Sequence, residues 1–229
     1  MPQIEGAAER SRQEEKAAAA RERIISAVID CLDGFGYAET SINRIQQVSG
    51  MSRGALTHHF PSKEALMVET AERLLGPTLL VPPRGRGASG NNGLRPCDVE
   101  ADILWIWHRL VDTREGRALL ELLVAARTDA ILRGRIAATF LSWNDAINSS
   151  LVDRYRGLGL EAEQLQDLWT ICRVFLRGLN TQNQFENDPK RREALVRRFA
   201  RMVTSQLCEA GEPRGGTPES MGTKGTTEP

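Results

Sequence analysis

Apolar residues along this chain recur at steps of three and four, and no stretch alternates convincingly in twos. The first spacing marks one face of an α-helix and the second marks a half-buried strand. The chain is therefore restricted to amphipathic helices packed face to face. Ile24, Val28, Cys31 or Leu32, and Phe35 outline a first helix behind a run of Ala, Glu, Lys and Arg that begins near Glu14. Further on, the pattern resumes with Ile103, Ile106, Trp107 and Leu110, then with Leu119, Leu122, Leu123 and Ala126. Ile136, Phe140, Ile147 and Leu151 outline a long helix stopped at Gly157 and Gly159. Leu165, Leu168, Cys172, Phe175 and Leu179 give the next, and Leu195, Phe199, Met202 and Leu207 the last. The expected class is all-α.

Caps and breakers divide these helices. Gly34 and Gly36 stop the first, because glycine takes the left-handed cap conformation without a side-chain penalty. Thr40 or Ser41 caps a short second helix with Ile42, Ile45 and Val48 facing inward, and Gly50 ends it. Ser52 caps a third, which carries Leu56 inward and ends at Phe60-Pro61. Ser62 caps a fourth that runs to Leu75, before Gly76-Pro77. Residues 81–97 are dominated by Gly, Pro and Asn and read as a linker. Asp188-Pro189 opens the last helix, with Asp as cap and Pro at the first helical position. The expected organisation is a small N-terminal unit over 18–78 and a larger helical unit over 98–209. Residues 1–13, 81–97 and 211–229 are expected to be flexible.

The 229 residues carry 30 basic and 30 acidic side chains, so any affinity for nucleic acid must come from local placement of charge. No apolar run is long enough for a membrane span and the N-terminus lacks a signal-peptide core, which predicts a cytoplasmic protein. Cys31, Cys97, Cys172 and Cys208 are widely spaced and expected to be free thiols. No nucleophile–base pair, paired carboxylates, metal cluster or phosphate loop stands out, so neither an enzyme, nor a cofactor, nor a metal site is expected. The adjacent His58 and His59 diverge on a helix, with no carboxylate or cysteine near them in sequence to complete a metal site.

Thr40 to Lys63 is the stretch where charge is placed locally. It contains Arg44, Arg53, His58, His59 and Lys63 but no Asp or Glu, although acids flank it at Glu39 and Glu64. A surface cleared of negative charge suits a phosphate backbone. Two short capped helices joined by a turn containing Gly50 have the layout of a helix-turn-helix over about 41–60. The second helix of such a unit presents its N-terminal residues to base edges in the major groove, here Ser52, Arg53, Gly54 and Ala55. Arg53 can donate two hydrogen bonds to a guanine. Gly54 lets the backbone approach DNA closely, Ser41 at the start of the preceding helix suits a phosphate, and Lys63 is a second phosphate clamp.

The run Leu32-Asp-Gly-Phe-Gly36-Tyr37, then Thr40-Ser41, then Gly50-Met-Ser52-Arg-Gly54-Ala-Leu56-Thr-His-His59-Phe60-Pro-Ser-Lys63-Glu-Ala-Leu66, resembles the N-terminal domain of TetR-type regulators over about residues 21–75. The resemblance implies a three-helix DNA-reading domain followed by a larger helical domain that dimerises and encloses a ligand pocket. It implies DNA contacts at Ser41, Asn43, Ser52, Arg53, Gly54, His59 and Lys63, to which Arg44 is added from its charge and position. Two positions depart from the family pattern. Thr57, kept as a DNA contact, stands where the family usually has a phosphate-contacting Tyr and can still donate a hydrogen bond over a shorter reach, and Asn43 stands where it often has Arg.

The same resemblance implies a homodimer built through about Glu161 to Phe185 and Pro189 to Leu207, and hence a pseudo-palindromic double-stranded DNA operator. All four tryptophans lie in the C-terminal unit. An aromatic-lined pocket with a few polar groups suits a small molecule, and Trp105, His108, Trp143, Trp169 and Arg177 are its candidate lining, with no membrane partner expected. The expected function is a sequence-specific transcriptional regulator, a repressor released by a small-molecule effector. The alternative is an architectural DNA binder without an effector, which would need a broad basic surface.

Overall fold

The computed structural model describes residues 2–76, 96–155, 160–182, 185 and 188–211. Residues 81–95 and 212–229, expected to be flexible, lie outside these, as do Gly157 and Gly159. The described chain forms nine α-helices with no strand among the described residues. They are α1 (Pro2–Glu39), α2 (Ile42–Ser49), α3 (Arg53–His59), α4 (Lys63–Leu74), α5 (Pro96–Ile106), α6 (Arg114–Ala125), α7 (Ala130–Tyr155), α8 (Ala162–Gln182) and α9 (Pro189–Gly211). Between α5 and α6 the helix runs on as one π-helical turn, Trp107–Val111.

Helix α1 is helical from Pro2, earlier than the apolar pattern marks it. Its leading residues carry no apolar stripe, but Ala, Glu, Arg and Gln are strong helix formers and Pro suits a first helical position. Its regular part ends where Gly36 turns to φ 75°. The predicted caps are all in place. The hydroxyl oxygens of Ser41, Ser52 and Ser62 accept from the backbone N–H groups of Arg44, Ala55 and Ala65 at 3.2, 3.2 and 3.1 Å. Gly50 closes α2 in the left-handed conformation, at φ 65°. Thr40, the other candidate cap, is buried and donates its hydroxyl to the Gly36 carbonyl at 2.7 Å instead. The Asp188 carboxylate accepts from the Arg191 N–H at 3.0 Å and starts α9.

The helices bury two apolar cores. The first joins Ile24, Val28 and Leu32 of α1 with Ile45, Leu56 and Leu66 of α2 to α4, and also takes in Ala118 and Leu122 of α6 and Leu132 and Ile136 of α7. The second joins Ile103 and Trp107 with Ile147, Leu151, Trp169, Leu176 and Val196 from α7, α8 and α9. Packing therefore does not divide at the linker. Helix α6 and the start of α7, C-terminal to it in sequence, close the underside of the N-terminal helices. Cys31 and Cys172 are buried free thiols within these cores, and burial pushes both thiols above their ordinary range.

Four apolar-face assignments differ, two of them Leu195 and Met202 of α9, which are exposed while Val196 and Val203 take the buried face. Val48, expected to face inward on α2, is exposed, and so is Phe35 on α1. An eight-residue helix has room for little more than one inward row, and Ile45 fills it at full burial with Ile42 half-buried beside it. The Phe35 ring lies beneath the Arg44 guanidinium, 4.2 Å from its centroid, an arrangement that favours a water-facing ring.

Candidate nucleic-acid interface and internal cavity

Helices α2 and α3 form the expected two-helix unit. Ser41, Asn43, Ser52, Arg53, Gly54 and Thr57 are exposed, while Arg44, His59 and Lys63 are half-buried. The capping serines at 41 and 52 use an oxygen lone pair on the backbone, which leaves each hydroxyl hydrogen to donate outward. A side-chain carbon built on Gly54 would meet nothing within 4 Å, so the α3 backbone is open to close approach there.

The remaining candidates are tied to the protein itself. Arg44 reaches Glu39 at 3.6 Å while it covers Phe35. Lys63 Nζ donates to the Tyr37 carbonyl at 3.4 Å and sits 4.8 Å from the Tyr37 ring centre. Thr57 Oγ1 donates back to the carbonyls of Arg53 and Gly54, at 3.1 and 3.2 Å, so its only hydroxyl hydrogen is held inside the helix. The His59 carbonyl accepts from Arg21 at 3.1 Å, and Arg21 also pairs with Glu69 and covers Phe60. That cluster pins the end of α3 to α1 and α4. The His58 and His59 rings meet edge to face at 5.3 Å, and among the described residues no cluster of three or more metal-ligating side chains occurs.

A cavity of about 100 Å³ lies between the two cores. Its walls come from Leu74 of α4, from Ile106, Arg109, Leu110 and Val111 around the π-turn, and from Thr113, Glu115, Gly116 and Leu119 at the start of α6. Trp143, Ile147 and Leu151 of α7 and Trp169, Arg173, Leu176 and Arg177 of α8 complete it. Of the five residues expected to line a pocket, Trp143, Trp169 and Arg177 are in this wall, whereas Trp105 and His108 are not. Trp105 is half-buried on α5, and His108 turns outward to Glu193 of α9, its Nε2 3.1 Å from the carboxylate. The π-turn accounts for His108. It inserts one extra residue into the helical turn, so side chains beyond Trp107 point away from the direction a regular helix would give them. Arg109 and Arg173 are lining residues the sequence reading missed. Arg173 carried a usable signal, because it precedes Arg177 by four residues and so shares its helix face.

Helix α6 stands between cavity and DNA-reading unit. Its first turn walls the cavity. On its other side, Arg114 pairs with Asp30 of α1 at 2.6 Å, and Arg117 grips Asp33 with two contacts at 2.5 and 3.0 Å. One turn further, the Glu121 carboxylate accepts the Tyr37 N–H at 3.0 Å, five residues before α2 begins at Ile42. The Tyr37 hydroxyl donates to Asp129 at 3.1 Å beyond α6. Behind the cavity, the buried Asp102 on α5 takes both Arg154, at 2.6 and 2.7 Å, and the Tyr155 hydroxyl. Among the described residues no helix is long and apolar enough to cross a membrane.

The sequence profile described as "Bacterial regulatory proteins, tetR family" matches residues 24–70, the span of the two-helix unit and its supports. The HTH-type transcriptional regulator CymR of Pseudomonas putida is 28% identical over 190 residues, covering 80% of this chain and 89% of that protein. An HTH-type transcriptional repressor of Mycobacterium tuberculosis is 40% identical over 58 residues, 25% of this chain and 31% of its own length. Among solved structures, a transcriptional regulator from Saccharomonospora viridis in complex with choline superposes with a TM-score of 0.59 at 16% identity, over 82% of this chain and 96% of that one. With the capped helix pair, its register of glycines and the helical domain behind it all in agreement, residues 24–70 form a DNA-binding domain of the tetR-family type, and the chain as a whole is similar to DNA-binding transcriptional regulators.

Proposed function

We propose that this regulator is a cytoplasmic, homodimeric repressor that leaves its operator when a small molecule fills the cavity between α4 and α8. The observation that carries the reading is the position of α6. Its first turn is cavity wall, and its outer face is held to α1 and to the residue leading into the helix-turn-helix by Arg114, Arg117 and Glu121. A ligand that displaces Thr113, Gly116 or Leu119 acts on the same rigid element that orients the DNA-reading unit. Release then requires the ligand to bind the DNA-incompetent arrangement better than the competent one.

In this reading Arg53 reads base edges, with Ser52 and Gly54 beside it, and Asn43 flanks it from α2. Ser41, Arg44, His59 and Lys63 contact the backbone, and Thr57 faces it with its hydroxyl hydrogen held inside the helix. Dimerisation through α8 and α9 is supported by Ile171, Val174 and Met202, large apolar side chains on these two helices that stay exposed in the single chain. A twofold dimer of such heads calls for half-sites about one helical turn, or a multiple of it, apart.

The test is a mobility-shift titration on DNA from upstream of the protein's own gene, run against excess unrelated DNA. The reading expects a shift that survives the competitor and is lost in Arg53→Ala. Binding that ignores sequence would instead support an architectural role.

A further inference from the structure

The cavity wall has an electrostatic imbalance. Arg109, Arg173 and Arg177 contribute three positive charges to it, while the one acid among its described lining residues, Glu115, is already paired with Arg114 at 2.8 Å. Arg173 donates only to neutral oxygens, of Asn148 at 3.2 Å and Thr170 at 3.0 Å. Arg177 lies 5.7 Å from the Trp143 ring centre, and among the described residues no carboxylate pairs with either arginine. Burial lowers the affinity of both guanidinium groups for their proton, with Arg177 brought down to about 10 and Arg173's like charge adding to the effect. A guanidinium stays charged in proteins, so the shift reads as uncompensated desolvation rather than as neutralisation.

A second observation is independent of charge. Trp169 is 1% exposed and walls the same cavity, yet among the described residues its indole Nε1 has no hydrogen-bond acceptor. A buried donor without a partner costs stability, and such groups are few in folded proteins. One cavity thus collects positive charge without a counter-charge and a donor without an acceptor. The rest of its wall is apolar: Leu74, Ile106, Leu119, Ile147, Leu151 and Leu176.

Building on the effector reading above, we propose that the ligand of this cavity is a small monocarboxylate with an apolar body. Its carboxylate lies against Arg173 and Arg177 and supplies the counter-charge that neither has among the described residues. The planar guanidinium fork suits a carboxylate in two-point contact. The size of the body follows from the volume. An apolar cavity of about 150 Å³ holds one benzene ring, so a cavity of about 100 Å³ takes a branched short chain or, with slight expansion, a single ring.

Calorimetric titration of the full chain without DNA tests the carboxylate directly, using 3-methylbutanoate and benzoate against 3-methylbutanol, benzyl alcohol and benzylamine. At least one acid should bind ten times or more tighter than its alcohol, and the amine should not bind. Arg177→Met, which keeps the stem and removes the charge, should lose that acid-over-alcohol preference while melting no lower than the parent, since it removes a half-buried charge that has no carboxylate partner among the described residues. Alcohols binding as well as acids, neither acid binding, or an Arg177→Met variant that keeps its benzoate affinity within twofold would each overturn the proposal. A parallel mobility-shift assay separates the two ideas. An acid that binds but leaves the DNA complex intact sinks effector control and leaves the carboxylate site standing. Release by an uncharged ligand alone does the reverse.

Discussion

Arg117 of α6 and Asp33 of α1 form a two-point ion pair, Nε to Oδ1 at 2.5 Å and Nη2 to Oδ2 at 3.0 Å, that ties the cavity-wall helix to the long helix of the DNA-reading domain. Asp33 holds the Arg117 guanidinium proton more firmly than usual, mainly through this hydrogen bond. The pair is partly open to water, so it contributes about 1 kcal/mol to stability or less. Its larger effect should be on coupling. Asp33→Asn is expected to bind DNA within about threefold of the parent, a change under 1 kcal/mol, while the ligand concentration needed for release rises clearly. Titrating ligand into the preformed DNA complex measures this. Unchanged release by the variant would remove the pair from the signalling route.

The features legible in the sequence were those fixed by local backbone chemistry. Ser41, Ser52, Ser62 and Asp188 cap helices because each can accept a backbone N–H within three residues, and Gly50 closes α2 because it alone takes φ 65° without strain. Features set by tertiary context were not legible. Nothing in the sequence marks the π-turn at Trp107–Val111, and that turn decides that Arg109 walls the cavity while His108 faces Glu193. The placement of α6 in the N-terminal core was equally hidden, because its apolar face is compatible with either domain and the Arg114, Arg117 and Glu121 partners on α1 select one.

Gly116, in the cavity wall, is the most closely packed of the described glycines. A side-chain carbon there would lie 2.2 Å from the Leu110 carbonyl oxygen and 2.4 Å from that of Val111, both rigid backbone atoms. Gly116→Ala must therefore push α6 away from the π-turn. A loss of about 1–3 kcal/mol is expected from such overpacking, read as a lower melting temperature and as weakened response to any ligand that fills the cavity. A variant with the parent's melting temperature would show that the π-turn and α6 move apart without resistance.

Lys63 and Arg53 should fail in different ways. If Arg53 reads a guanine, Arg53→Ala costs about 1–3 kcal/mol on the operator and little on unrelated DNA. Lys63→Gln should weaken binding to both and flatten the dependence of log affinity on log salt by about one unit. Fluorescence anisotropy on operator and scrambled duplexes at several salt concentrations measures both. An Arg53→Ala variant that loses the two duplexes equally would remove the base-reading role.

The two tyrosines of the chain give a pH readout of the packing around α6 and α7. Burial and the Asp129 hydrogen bond push the Tyr37 phenol up to about 12, and burial beside Asp102 pushes Tyr155 higher still. The native protein should therefore show almost no tyrosinate absorbance at about pH 10.5, where an ordinary phenol with a pKa of about 10 is mostly ionised. Because the folded-state value exceeds the unfolded one, Tyr37 contributes stability in full below about pH 10 and loses it as pH rises toward 12. Tyr155→Phe isolates Tyr37, and a titration near pH 10 in that variant would show that the Asp129 contact is not made.

Thr57 is where this protein differs most visibly from the pattern its DNA-reading domain otherwise follows. Its hydroxyl hydrogen is engaged by the carbonyls of Arg53 and Gly54, so an exposed site on the recognition helix offers no donor to a phosphate. The Thr57→Tyr variant carries its hydroxyl on a rigid ring too long to fold back onto those carbonyls. One new neutral hydrogen bond contributes about 1 kcal/mol net, so DNA affinity should rise several-fold. Because the added group is uncharged, the slope of log affinity against log salt should stay the same. The rise should appear on operator and scrambled duplexes alike, since a phosphate contact carries no sequence information. Tighter binding confined to the operator would mean that residue 57 faces a base edge rather than the backbone, and unchanged binding to both would place it off the DNA.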